Sequence, residues 1–327
     1  MIRIAIDAMG GDYAPAEIVK GAVLASNELP VKLFLVGDRS LIEKELSRYK
    51  KKGDLSVVHA SEVISNDESP VAAVKQKKDS SVNVAVALVK NKEADAVVSA
   101  GNTGALMAAS LFGLGRIKGV ERPAIATIFP TPTGPVLLLD MGANVDCKSK
   151  HLLQFGEMGS QYAEHVMHVA NPRIGLLNIG EEKEKGNQLV IESWPLLQAA
   201  KINFVGNVEA KEILEGKVDV IVCDGFVGNL ILKFGESISS FIITLLKKEL
   251  SKNLITRFAA FLLLPSLQNI KKSVDYDESG GAPMLGIDGI VFKAHGRARA
   301  KAFKNAVRVA HEAVKVDLVS CLSRMEE

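Results

Sequence analysis

The chain has 327 residues, 47% hydrophobic and 24% charged, with 40 Lys+Arg against 38 Asp+Glu for a formal net charge of +2. That composition excludes a disordered chain, a collagen-like chain and a disulfide-stapled miniprotein. Balanced charge and only 5% aromatic residues argue against a nucleic-acid partner, which calls for a basic surface or stacking rings.

Residues 1–7 form a short run, charged at Arg3 and ending at Asp7, too short for a secretion leader. Cys147, Cys223 and Cys321 lie far apart without a C-x-x-C pair. Together these features predict a reduced, cytoplasmic compartment. No run reaches about 18 uncharged apolar residues, so no membrane-spanning helix is expected.

In chain order, apolar runs rich in Val, Ile and Leu occur at 3–7, 32–36, 55–59, 96–99, 173–178, 202–206 and 218–223. Continuous runs of this kind read as strands buried on both faces. Helical spacing fills 16–28, 41–51, 81–91 and 105–114. The alternation predicts an α/β fold, a mostly parallel sheet sandwiched by helices. Residues 124–140 differ: two apolar runs joined by Pro130-Thr131-Pro132-Thr133-Gly134-Pro135 predict an antiparallel return. Residues 229–272 carry no strand signal and predict a helical pair broken near 251–253 and at Pro265. A last strand is expected at 287–292 and a helical tail at 293–319. No repeat, linker or composition shift divides the chain. It reads as one two-lobed α/β unit over 1–327 with a helical projection at 230–272.

The residues directly after the strands carry the functional signal. These exits read Asp7-Ala8-Met9-Gly10-Gly11-Asp12, Ser99-Ala100-Gly101-Asn102-Thr103-Gly104, Asp140-Met141-Gly142-Ala143-Asn144, Asn178-Ile179-Gly180-Glu181, Gly206-Asn207-Val208-Glu209 and Asp224-Gly225-Phe226-Val227-Gly228-Asn229. In open α/β sheets the ligand crevice lies outside the carboxyl ends of the strands. Glycine lets backbone N–H groups approach an anion, and a helix start adds a positive dipole end. The six loops are expected to form one anion-binding site. Lys185 and Asn187, in a charged loop, and Lys293-Ala294-His295-Gly296, after the last strand, supply further candidates. The sequence has no Walker loop, no G-x-S-x-G elbow and no zinc-spaced cluster, so neither metal nor cofactor is expected. Gly113-Leu114-Gly115-Arg116-Ile117-Lys118-Gly119 imitates a dinucleotide fingerprint but closes a helix instead of opening one.

These motifs resemble those of the bacterial phosphate acyltransferases of phospholipid synthesis (the PlsX family), over essentially the whole chain. The resemblance implies a fold similar to phosphotransacetylases and isocitrate-type dehydrogenases. It implies transfer of a fatty acyl group from acyl-acyl-carrier protein to inorganic phosphate, in a cytosolic homodimer loosely attached to the membrane. The membrane acyltransferase that consumes acyl phosphate is a candidate further partner. Phosphate is itself the nucleophile in such a reaction, so the protein must position it and stabilise an oxyanion. Catalytic roles are therefore expected of Asn102, Asn144, Lys185, Asn229 and His295. Substrate binding is expected of Asp7, Gly10, Gly11, Gly101, Thr103, Asn187, Asp224 and Lys293.

Two surfaces suit two partners. Arg297, Lys301, Lys304 and Arg308 recur at helical spacing and predict a basic face for docking the acidic carrier protein. Phe258-Ala259-Ala260-Phe261-Leu262-Leu263-Leu264 is preceded by Lys247, Lys248, Lys252 and Arg257 and followed by Lys271 and Lys272. It predicts a membrane contact through Phe258, Phe261 and Leu262, with burial in an interface as the competing use. The runner-up function is a phosphotransacetylase-like transferase using a coenzyme A thioester. Behind it stand a decarboxylating dehydrogenase of similar fold, which lacks evident metal carboxylates, and a peripheral membrane scaffold, which leaves the glycine-rich exits unexplained.

Overall fold

The computed structural model describes residues 1–264 and 280–324. Pro265, Lys271 and Lys272 lie outside the described residues. The described strands are β1 (Ile2–Asp7), β2 (Val31–Gly37), β3 (Leu55–His59), β4 (Ala96–Ser99), β5 (Ala124–Phe129), β6 (Val136–Leu139), β7 (Ile174–Asn178), β8 (Phe204–Glu209), β9 (Val220–Val222), β10 (Ala282–Leu285) and β11 (Ile290–Lys293). They form one sheet in the order β3-β2-β1-β4-β11-β10-β5-β6-β9-β7-β8. The helices are α1 (Ala16–Glu28), α2 (Arg39–Leu46), α3 (Pro70–Gln76), α4 (Ser81–Lys90), α5 (Thr103–Gly113), α6 (Ser149–His165), α7 (Gln188–Ala199), α8 (Gly225–Leu250), α9 (Leu254–Leu262), α10 (Ala300–Lys315) and α11 (Leu318–Ser323).

The sheet is mostly parallel, as the alternating pattern predicts, and its inner strands are buried on both faces. β4 and β6 have every residue buried. One core layer packs α1, α2, α6 and α10 on the sheet through residues such as Ile18, Phe155 and Phe303. The opposite layer packs α3, α4 and α5 through Val74, Val86 and Leu106.

The sheet consists of two parallel halves running in opposite directions. β1–β4 and β11 share one direction. β6, β7, β8 and β9 share the other, because β6 returns antiparallel from β5 across the proline-rich turn. β10 joins the halves through short antiparallel pairings, Ala282 with Lys293 on one side and Met284 with Ile125 on the other. This strand escapes the sequence pattern, since a four-residue run holding Pro283 lacks a strand signature.

Many element boundaries differ from the sequence reading by one or two residues, and three elements differ by more. The last strand starts at Ile290, because Ile287 makes only an isolated bridge to Arg116. β8 starts at Phe204 and takes in Gly206–Glu209, so that glycine-containing stretch is strand and not exit loop. Gly206 has φ +105° beside a register shift between Ile174 and Gly175, a bulge that glycine accommodates. α2 begins earlier, at Arg39, because the Asp38 carboxylate caps it by accepting the Leu41 N–H at 2.9 Å.

α8 runs unbroken for 26 residues from its cap, Asp224, and its apolar stretch is exposed. By length and composition alone, with a mean hydropathy of 1.4, it could cross a membrane. No run of about 18 uncharged apolar residues is present in it, as the sequence reading has it, because Lys233 and Glu236 interrupt the apolar stretch.

Candidate functional site

A cleft of about 600 Å³ opens where the two halves of the sheet meet. The stagger imposed by β10 brings the carboxyl ends of β4 and β11, from one half, toward those of β6 and β9, from the other. Gly101–Gly104, Met141–Gly142, Asn229 and Lys293–Ala298 all line it.

The floor is the start of α5. Asn102 caps the helix by accepting the Ala105 N–H at 3.0 Å, and its amide donates to the carbonyls of Ser65 and Asn66. The side chain of Asn102 is thus committed to shaping the loop. The N–H groups of Thr103 and Gly104, first in the helix, have no carbonyl one turn earlier to receive them and stand at the positive end of the helix dipole. Gly10 is required beside them: a Cβ there would strike the Asp7 carboxylate and come within 2.7 Å of the Gly101 nitrogen.

Lys293 lies next to this floor, at the end of β11, with only 9% exposure. Its ammonium donates to the carbonyls of Ala100, at 3.3 Å, and Ala294. Burial pushes its pKa down to about 8, with Asp7 and Asp12 pulling it up and Lys233 lowering it further. His295 follows it at the rim, where its Nδ1 accepts the Arg297 N–H at 3.1 Å and its Nε2 lies 3.5 Å from Glu236.

The first turns of α8 form the opposite wall. Asn229, Lys233 and Glu236 recur on one face, with Leu232 beside them. Lys233, Glu236 and Thr127 escape the sequence reading, while Asp12 stands in the first predicted exit without a role of its own. Counting helical periods onward from Asn229 finds the first two. Thr127 becomes visible only once the strand order is known. Ile125, Ile128 and Met141 give the cleft an apolar side.

With the geometry in place, relatives become informative. The profile of the family described as "Fatty acid synthesis protein" matches residues 2–321. The chain belongs to this family. The phosphate acyltransferase of Heliobacterium modesticaldum is 53% identical over 323 residues, 98% of this chain and 96% of that one. The phosphate acyltransferase of Moorella thermoacetica is 52% identical over 321 residues, 98% and 95% of the two chains. Among solved structures, a phosphotransacetylase from Streptococcus pyogenes superposes with a TM-score of 0.63 at 13% identity, covering 100% of this chain and 94% of that one. A branched-chain phosphotransacylase from Enterococcus faecalis gives 0.60 at 16% identity, covering 96% and 99%. These two show that the chain shares its fold with a phosphotransacetylase and a branched-chain phosphotransacylase.

Several residues expected at the site lie elsewhere in this family member. Lys185 and Asn187 follow β7, six strand spacings from β4, or roughly 29 Å along the sheet. Lys185 is half exposed and pairs with Glu182 at 2.9 Å, while Asn187 caps α7 by accepting the Val190 N–H. The Asn144 amide is spent on the Pro123 carbonyl and the Asp140 carboxylate, at 2.7 and 2.9 Å. Asp140 is fully buried and also accepts N–H bonds from Ile125, Ala143 and Asn144. Burial still leaves its pKa above the usual carboxylate value. Asp140 and Asn144 therefore form a knot that ties the β6 exit to the start of β5, and the Asn144 backbone carbonyl accepts the Gly225 N–H at 2.8 Å to hold the start of α8. Asp224 is the cap of α8, bonded to the Val227 N–H at 2.9 Å. Asp7 and Gly10 lie beneath the cleft, along a small internal cavity. Gly11, at φ +111°, turns the chain so that the Asp12 N–H reaches the Gly296 carbonyl at 2.8 Å.

The predicted basic face is also revised. α10 begins at Ala300, so Arg297 lies in the preceding loop, off the helical face that carries Lys301 and Arg308. Lys304 reaches across to Glu28 of α1 at 2.8 Å, and Arg299 stacks on Tyr13 beside Glu17. Carboxylates of α1 thus offset part of the charge.

Proposed function

We propose that the chain transfers a fatty acyl group from acyl-acyl-carrier protein to inorganic phosphate, producing acyl phosphate for phospholipid synthesis. The observation that carries this reading is the buried Lys293 ammonium beside the open amino end of α5, at the floor of a cleft with one apolar side. A phosphate dianion suits that pairing of a cation with free N–H groups.

In the proposed reaction a phosphate oxygen attacks the thioester carbonyl carbon. The new C–O bond forms as the carbonyl electrons move onto oxygen, with the Asn229 amide placed as a donor to that oxyanion. Collapse restores the carbonyl and breaks the C–S bond. The departing thiolate takes a proton from Lys293, whose pKa of about 8 suits an acid working near neutrality. Lys293 then recovers a proton from the hydroxyl of the former hydrogen phosphate, so the net products are acyl phosphate and free thiol. The apolar wall of Ile125, Ile128, Met141 and Leu232 accommodates the start of the acyl chain.

The proposal extends to the surfaces. α9 presents Phe258, Phe261 and Leu262 at 62–70% exposure, next to Lys247, Lys248, Lys252 and Arg257. An apolar tip with a basic border suits the membrane interface, and a greasy product is best released there. Phe234, Ile238, Phe241 and Leu245 leave a further apolar stripe on α8 suited to a second copy in a homodimer. Arg297, Lys301 and Arg308 remain the docking candidates for the acidic carrier.

The decisive experiment supplies labelled phosphate with an acyl-carrier thioester, a coenzyme A thioester or neither. Acyl phosphate from the carrier thioester alone is the expected result. Equal formation from coenzyme A would move the protein to the phosphotransacetylase class, and formation from neither would remove the proposal. Loss of vesicle binding in a Phe258→Glu, Leu262→Glu variant tests the membrane tip.

A further inference from the structure

Asp7, Ser99 and Lys293 occupy matched positions at the ends of three adjacent parallel strands. Asp7 is in register with Ser99, and Ser99 with Lys293. Residues in register on neighbouring strands project to the same face, and all three are buried. Such a row of polar groups at the centre of a sheet is costly unless its members satisfy one another.

Within the row Ser99 bonds to Asp7, while the Lys293 ammonium is satisfied by the carbonyls of Ala100 and Ala294. The Ser99 hydroxyl donates to Asp7 Oδ2 at 2.6 Å and accepts the Gly101 N–H at 3.0 Å. Asp7 Oδ1 accepts the Met9 N–H at 3.3 Å. The carboxylate therefore holds the loop after β1 directly and the loop after β4 through one hydroxyl. Gly10 and Gly101 meet immediately above it, with no room for a Cβ at Gly10. Asp7 does not line the cleft, yet the Gly101 backbone at its floor is tied to Asp7 through Ser99, and the Lys293 ammonium ends the same strand-end row.

We infer that Asp7 is a positioning residue for the proposed phosphate site, acting through Ser99 on the Gly101 loop and through its charge on the Lys293 ammonium. This inference rests on the phosphate-transfer reading given above and adds a residue that touches neither substrate. Burial holds the Asp7 carboxyl above its usual range, and bonds from Ser81 and Ser99 draw it back. Around Lys293, Asp7 and Asp12 favour the charged form and Lys233 on α8 opposes it. Glu236, His295 and Arg297 stand further out at the rim.

Asp7→Asn tests the charge while keeping one acceptor oxygen, for the Ser99 hydroxyl, and giving up the longer bond from the Met9 N–H. The alkaline limb of kcat/KM for phosphate is expected to move about one pH unit lower, a factor of about 10 at the slope, with stability falling by no more than the loss of one backbone hydrogen bond accounts for. In a Lys293→Met background the same change is expected to add nothing to the pH dependence, since it keeps the Ser99 link and removes only the charge that acts through Lys293. An unmoved limb, or full additivity, overturns the inference. If Asp7→Asn does not fold, Ser99→Ala carries the test. It keeps the carboxylate but removes the link to Gly101, and KM for phosphate is expected to rise at least fivefold with the pH limb unchanged. A parental KM would overturn it. Failure of the underlying reading looks different: the parent chain itself would form no acyl phosphate from any thioester.

Discussion

The exit of β4 reads Ser99-Ala100-Gly101-Asn102-Thr103-Gly104, and the exit of β7 runs from Asn178 through Gly180 and Lys185 to Asn187. Both follow a buried parallel strand, both are glycine-containing, and in both an asparagine caps the next helix, Asn102 for α5 and Asn187 for α7. Yet one forms the floor of the cleft and the other is a surface loop with its lysine paired to Glu182. The difference lies in the neighbours. β4 is flanked by β1 and β11, whose exits bring Gly10 and Lys293 beside it, while β7 lies second from the sheet edge. Local chemistry makes a loop able to hold an anion, and strand order decides whether anything converges on it.

Substitutions can break that comparison. The largest effect is expected from Lys293→Met, which removes the only buried ammonium at the cleft floor among the described residues. A fall in kcat/KM for phosphate of at least 100-fold, or about 3 kcal/mol, is expected, measured as acyl-phosphate formation. Gly10→Ala comes next. Its Cβ has no space between Asp7 and Gly101, and a loss of about 10- to 100-fold is expected from misplacing the floor.

Asn144→Ala sharpens the distinction between knot and site. It leaves the buried Asp140 carboxylate short of a donor, and unfolding stability should fall by about 1–3 kcal/mol, read from denaturant melts. KM for phosphate should change less than stability does. The smallest effect belongs to the β7 exit: Lys185→Ala should stay within about twofold of parental activity, as expected for an exposed pair worth under 1 kcal/mol. A large loss there would mean that the two loops act together after all.

The pH profile is a further check. Lys293 has a folded pKa of about 8, below its ordinary 10.5. The unfolded chain therefore holds that proton more tightly, and the buried charge costs stability fully below about pH 8. This cost fades as pH rises from 8 toward 10.5. Phosphate binding, in the proposed reaction, runs the other way, since there it needs the ammonium. KM for phosphate should climb as pH passes 8 while the Lys293 contribution to stability improves.

Much of this architecture is legible from pattern. The runs 55–59 and 96–99 and the helix at 16–28 coincide with β3, β4 and α1, because burial on both faces or one helical stripe leaves a clear hydrophobic period. The hairpin after residue 124 is legible from its proline and glycine joint. α3, α6 and α7 are missed, and so is β10. α6 is interrupted by buried His151, Gly156 and Gly159, which pack against other elements and blur any single-sequence period. Gly159, for example, faces Val220 and Leu139 at distances no larger residue tolerates.

The sequence by itself determined the alternating α/β class, the glycine- and asparagine-rich character of the strand exits and the helical stretch after residue 229, since each depends on neighbours within a few positions. Tertiary structure alone decided which exits meet. The six loops look equivalent in one dimension, but the reversal at β5–β6 and the bridging of β10 select the exits near the centre and strand those of β7 and β8 at the edge. It also decided that Asn144 is a structural tie and that Asp7, Ser99 and Lys293 form a row. Those contacts join residues about 90 and 190 positions apart, and no local rule of propensity or spacing reaches that far.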